Sequence, residues 1–298
     1  GTDLIQITTA TAITPNLTSI EQVEATFTGN VALNMSNVTT LTKATVLTGS
    51  NAAASITGLA DGTVTYIGDA DFATVDYAAA TNATIVLTLD RSATLNVTDA
   101  ANVTLTAASS AGDAYNSVAL DDVDAVSLTV TGGTAATTDI NTGNLTNTDS
   151  LATLNVTTST NGSTATVGTL ADADSLATIN LTASYGNIVV GAVGGTGTAE
   201  VLQNVNLTAS NSATIGIGNI TADTTNSTEE NDVTVTAASG SGSTITLGNV
   251  DNTQGALTLN LSGSGDVDGG TMTGDDVTMA FSAGDTSLFT AVTATDDV

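Results

Sequence analysis

The chain has 298 residues, 41% of them hydrophobic and 3% aromatic, and its two basic residues, Lys43 and Arg91, stand against 30 acidic ones for a formal net charge of −28. Such a charge repels phosphate backbones and anionic bilayers over long range, which argues against nucleic acid as a partner and against membrane insertion. Cys and His are both absent, so disulfides, thiolate ligands and the usual catalytic nucleophile-base pairs are missing, and the abundant Ser and Thr have no base to activate them. Paired carboxylates could still serve a glycosidase, but sugar clefts usually add aromatic or Arg platforms and the chain has no Trp. The expectation is a protein that is not an enzyme. Low aromatic content with high charge can also mean disorder; here the apolar residues recur as short alternating Val, Ile and Leu runs, which predicts a folded chain. Near-absence of Lys and Arg points to export into a cation-rich medium. No apolar stretch reaches the roughly 18 to 20 residues of a spanning helix, and no leader is visible at Gly1. The expectation is a leader already removed, excision from a longer protein, or a C-terminal export signal.

In chain order, Gly1-Thr-Asp3 begins inside what already reads as folded sequence, and Pro15, the only proline, lies near the N-terminus, where it removes no ladder hydrogen bond from a continuous sheet. Leu33 to Val38, Ile56-Thr-Gly-Leu59 and Ala119 to Val123 read as diverged copies of one short strand type. Residues 62 to 100 hold crowded short strands to which spacing assigns no register. From Leu128 a regular pattern begins: Leu128-Thr-Val-Thr, Leu154-Asn-Val-Thr, Ile179-Asn-Leu-Thr, Val205-Asn-Leu-Thr, Val233-Thr-Val-Thr and Leu259-Asn-Leu-Ser start 26, 25, 26, 28 and 26 residues apart. A second run follows each of the first five: Thr142-Gly-Asn-Leu145, Val167-Gly-Thr-Leu170, Val190-Gly-Ala-Val193, Ile217-Gly-Asn-Ile220 and Leu247-Gly-Asn-Val250.

Two ladders with one step predict a solenoid, in which no repeat buries its apolar face without stacked neighbours. The fold expected is all-β, a right-handed parallel β-helix of about 25 residues per coil. It forms one elongated unit over 1–298, with diverged coils in 1–125 and regular coils in 126–298. At a strand spacing near 4.8 Å this gives roughly 12 coils and a rod ~55 to 60 Å long. Alternation sends Leu154 and Val156 inward and Asn155 and Thr157 outward, so Asn155, Asn180, Asn206 and Asn260 should form an outer polar row beside Thr157, Thr182, Thr208 and Ser262. The glycines at 143, 168, 191, 218 and 248 mark a bend that requires either positive φ or close approach of successive backbones.

Calcium is the metal that the acidic turns point to. Asn147-Thr-Asp149 in one coil aligns with Asp172-Ala-Asp174 in the next, and stacking Asp149 over Asp174 at ~5 Å costs ~1 kcal/mol even in water, a cost that a shared hard cation removes. Similar clusters are Asp121, Asp122 and Asp124, and Asp266 with Asp268, near Asp275 and Asp276; Asp69 and Asp71 form another. None matches an EF-hand loop. The competing reading is of solvated turn carboxylates that favour turn conformations and keep a rod soluble. Sequons such as Asn16-Leu-Thr and Asn161-Gly-Ser follow from the abundance of Asn and Thr.

Leu17-Thr-Ser-Ile-Glu-Gln-Val-Glu-Ala-Thr-Phe-Thr-Gly29 resembles the "isoleucine, glutamate, any residue, apolar" step and Thr-rich strand of bacterial surface-layer proteins secreted by the type I, calcium-repeat route. Gly1 to Ile7 is similar to the exit from a glycine-aspartate calcium repeat of the same group. The resemblance implies a calcium-dependent two-dimensional coat on the outer cell surface, secreted under C-terminal direction. The chain departs from that family in having no glycine-rich nonapeptide repeats.

The function expected is therefore that of an extracellular structural protein, a self-assembling layer or filament block on a bacterial surface. Its partners would be copies of itself, with a cell-surface polysaccharide as a second class. The alternatives are an adhesin stalk, or an ice- or glycan-binding solenoid whose Thr and Asn rows order water or sugar.

Overall fold

A computed structural model gives the architecture and describes residues 2–48, 53–59, 64–68, 71–80, 83–88, 94–100, 102–107, 115–120, 127–131, 139–145, 150–171, 173–194, 201–222, 231–282 and 286–295. Every regular element among them is a β-strand, and every strand pair is parallel. A first sheet of thirteen described strands starts at Leu4–Thr9 and Gln22–Phe27, continues through Ser127–Thr131, Thr153–Thr158, Thr178–Ala183, Asn204–Ala209, Val233–Ser239 and Leu257–Gly263, and ends at Val277–Phe281. A second sheet runs alongside it from Ala32–Asn34 through Asp139–Asn141, Thr164–Val167, Asn187–Val190, Thr214–Ile217 and Thr244–Leu247 to Asp266–Gly274 and Thr286–Ala294. A third, short row joins Leu145, Leu170, Val193 and Ile220 through single bridges and continues as Ile220–Thr221, Val250–Asn252 and Met272–Gly274. The chain is a β-solenoid. Twelve steps of ~4.8 Å separate the first and last strands of the first sheet, a span of ~58 Å.

The interior follows from alternation. In the first sheet Leu154, Ile179, Val205, Val235 and Leu259 form one inward column and Val156, Leu181, Leu207, Ala237 and Leu261 the next, all buried. They face Ala165, Ile188, Ile215, Ile245 and Val267 of the second sheet, also buried. A winding holds only a handful of such side chains at about 1.5 to 3 kcal/mol each, against about 1 to 2 kcal/mol of ordering for every residue, so a winding folds only on a neighbour.

The Gly column marks the corner between the second sheet and the short row. A Cβ on Gly191 would lie 2.7 Å from the carbonyl carbon of Gly168, and one on Gly248 2.5 Å from that of Gly218. Close approach is therefore the reason for glycine there, and positive φ (64°) applies in this column only at Gly143.

One pairing expectation is corrected. The first-sheet partner of Val205 is Val235, not Val233, because the winding that contains 223–230 is longer. Val-Thr-Val-Thr reads the same when shifted by two, and such a shift preserves which side chains point inward. The expected step of about 25 residues holds through the regular windings and is shorter in the earlier ones. Leu4, Gln22, Lys43 and Val64 are 18, 21 and 21 residues apart, whereas Ser127, Thr153, Thr178, Asn204, Thr234 and Thr258 are 26, 25, 26, 30 and 24 apart. The ladder fixes the strands and leaves the turns free to differ at small entropic cost.

Candidate functional site

The regular windings present one continuous outer surface on the first sheet. Its outward positions are Thr153, Asn155 and Thr157; Thr178, Asn180 and Thr182; Asn204, Asn206 and Thr208; Thr234, Thr236 and Ala238; Thr258, Asn260 and Ser262; then Thr278 and Ala280. All are uncharged. The central row is locked by its own amides: Asn180 Nδ2 donates to Asn155 Oδ1 at 2.9 Å, and Asn206 Nδ2 donates to Asn180 Oδ1 at 2.9 Å. Such ladders form because identical amides one strand apart match donor to acceptor. Asn260 does not join them. Thr236 occupies the intervening place, as Thr234 would have done in the unshifted register, and the two-residue register difference puts Ala238 rather than Thr236 between Thr208 and Ser262.

A second set of asparagines works at the Gly corner. Asn144 Oδ1 accepts from the Thr169 N–H at 3.0 Å, Asn219 Oδ1 from the Asn249 N–H at 3.0 Å, and Asn249 Oδ1 from the Thr271 N–H at 2.8 Å. These side chains satisfy backbone donors where the chain turns out of the sheet. Sequence reading missed this role, although the repeated Gly-Asn at 143–144, 218–219 and 248–249 carries the signal.

The carboxylates lie elsewhere. Asp266 and Asp268 point outward on Asp266–Gly274, flanking the buried Val267, with Asp266 exposed and Asp268 partly so. Asp174 is exposed in a turn that the Leu176 N–H closes on the Ala173 carbonyl at 3.0 Å, with Ala173 buried. Asp121, Asp122, Asp124, Asn147, Asp149 and Asp172 lie outside the described residues, and with them the stack of Asp149 on Asp174. Other carboxylates tie adjacent windings together: Asp139 Oδ1 accepts from the Thr164 N–H at 2.9 Å, Asp232 Oδ1 from the Ala256 N–H at 3.1 Å, and Glu24 Oε1 from Gln6 Nε2 at 2.8 Å.

Among the described residues no three Asp, Glu, His or Cys side chains come together to hold a metal ion. Asp266 and Asp268 offer two carboxylates about 7 Å apart along a strand, short of the six to eight oxygens of a closed calcium shell. Among the same residues no helix is long and apolar enough to cross a membrane.

The outermost described windings differ from the middle. The inward column Val156, Leu181, Leu207, Ala237 and Leu261 is buried throughout, yet its last member, Phe281, is 56% exposed. In the short row, buried Met272 is followed by Val292, which is 47% exposed. At the other end Ile5 and Ile7, stacked on buried Val23 and Ala25, are only partly buried.

Comparison with known protein families, with curated proteins and with solved structures finds no match.

Proposed function

We propose that this chain is a rigid, non-enzymatic building block of a self-assembling layer or filament outside a bacterial cell. The observation that carries the reading is the unbroken parallel ladder of the first sheet, whose outermost described strands leave Phe281 56% exposed and Ile5 and Ile7 only partly buried. The first sheet has Leu4–Thr9 at one edge and Val277–Phe281 at the other, so a second copy stacked on Phe281 through its Ile5 and Ile7 continues both the hydrogen-bond ladder and the aliphatic columns. Such a contact is heterologous and propagates without closing. The resemblance of Leu17–Gly29 to calcium-route surface-layer proteins supports an exported, cell-surface location, with surface polysaccharide as a second partner class.

Calcium enters as the counter-ion that makes assembly possible. Copies carrying −28 each repel one another unless cations accumulate around them. Negative-stain microscopy of the purified chain in millimolar Ca²⁺ and in chelator tests the proposal. Filaments or sheets with calcium and dispersed particles without it are the expected result, and single dispersed particles in both conditions overturn it.

A further inference from the structure

Resting on that reading, we infer that the outer face of the first sheet from Thr153 to Ala280 is the lateral contact through which copies of this chain pack side by side. Residues 127–298 contain seventeen acidic residues and no Lys or Arg, yet none of the seventeen occupies an outward position on these six strands. The same face tolerates charge earlier in the chain, where Glu24 and Lys43 occupy the Gln22–Phe27 and Lys43–Thr48 strands. The other surfaces of these windings carry carboxylates: Asp139, Asp266 and Asp268 on the second sheet, Asp251 on the short row, Asp174 and Asp232 near the turns. Two copies meeting through any of those would bring like charges together in a partly dehydrated contact, at a cost of several kcal/mol. The first-sheet face is the longest described surface where they can meet without it, six uncharged strands against the four from Thr164 to Leu247 on the second sheet.

Size and order fit the same occupant. Six strands at ~4.8 Å and three outward positions at ~7 Å give a flat area of ~600 Å² per copy, or ~1,200 Å² for a pair, at the lower margin of specific interfaces. A single pair is weak; a row of already stacked copies adds many such contacts and becomes stable. The Asn155–Asn180–Asn206 ladder holds its amides in place beforehand, so little side-chain ordering remains for association.

The test compares the wild-type chain with Thr182→Glu, Thr182→Lys and, on the opposite sheet, Val189→Glu, each checked for its β-sheet circular dichroism before microscopy in Ca²⁺. Either Thr182 variant should still form end-to-end filaments while side-by-side assemblies fall at least ~10-fold. Val189→Glu should match wild type, and a mixture of the Glu and Lys variants should recover lateral packing, as a face that meets another copy predicts. Wild-type sheets with unchanged width in folded Thr182 variants overturn this inference alone. A wild-type chain that forms no assembly overturns the proposed function and this inference with it. Intact lateral packing in the variants, with loss of retention on microcrystalline chitin or of thermal hysteresis, would reassign the face to a polysaccharide or to ice.

Discussion

Gly248 lies so close over Gly218 that a methyl group on it would sit 2.5 Å from the Gly218 carbonyl carbon. Gly248→Ala must push two backbones apart at a corner where the ladder continues in both directions, and the expected cost is about 1 to 3 kcal/mol. Gly216 gives the contrast. A Cβ there meets nothing nearer than the Ile188 carbonyl at 4.0 Å, so Gly216→Ala should stabilise by about 0.4 to 1 kcal/mol by restricting the unfolded chain. Urea midpoints that move in opposite directions for the two alanines would bear this out; equal shifts would not.

Asn180 is both donor and acceptor in the amide row, so Asn180→Ala removes two hydrogen bonds and should lower stability by about 1 to 2 kcal/mol. Asn260→Ala, flanked in its column by Thr236 and Ala280, should cost less than half as much. A double-mutant cycle between Asn155 and Asn180 that shows no coupling would remove the row as a source of stability.

Thr158 is buried, and its Oγ1 makes no hydrogen bond among the described residues. Thr158→Val replaces that hydroxyl with a methyl of similar shape and is expected to raise stability by about 1 kcal/mol. Ser239 is the opposite case, because its Oγ donates to the Ser243 carbonyl at 3.0 Å, and Ser239→Ala should destabilise by a similar amount. Thermal or urea melts of the two variants read the sign directly.

Phe281→Asp places a charge on the open end of an interior column without disturbing the buried windings before it. The monomer should keep its spectrum and melting behaviour, while end-to-end association in Ca²⁺ weakens at least ~10-fold in sedimentation velocity. Unchanged filament length would argue that the ends do not meet.

If cations act by screening rather than by filling a shaped site, then protons should replace them. Bringing the solution down to about pH 4, near the ordinary carboxylate pKa, neutralises part of the −28 and should permit assembly in chelator. Assembly that demands calcium at that pH points instead to specific coordination.

Much of this was legible in the chain itself, for reasons that particular residues make plain. Inward placement of Leu154, Ile179 and Leu259 followed from alternation with period two, which survives errors in alignment of two residues. For the same reason alternation could not distinguish Val233 from Val235, and the rows through Thr236 and Ala238 were drawn without their interruptions. The corner glycines stood out because backbone contact between windings admits no other residue. The bonding of Asn219 and Asn249 to the next winding was not evident, since Gly-Asn is also an ordinary turn signal. The exposed Phe281 and Val292 were invisible because their sequence resembles that of any buried strand; only their place at the end of a column distinguishes them.

The winding step varies from 18 residues at Leu4 to 30 at Asn204 while the strands remain in parallel register. Length along the axis is therefore counted in turns of the coil, not in amino acids. Lengthening a bend leaves the axial dimension unchanged, whereas duplicating one full turn would extend it by ~4.8 Å and leave every other contact as it was. A molecule built this way can drift in size and decoration over generations without renegotiating its interior.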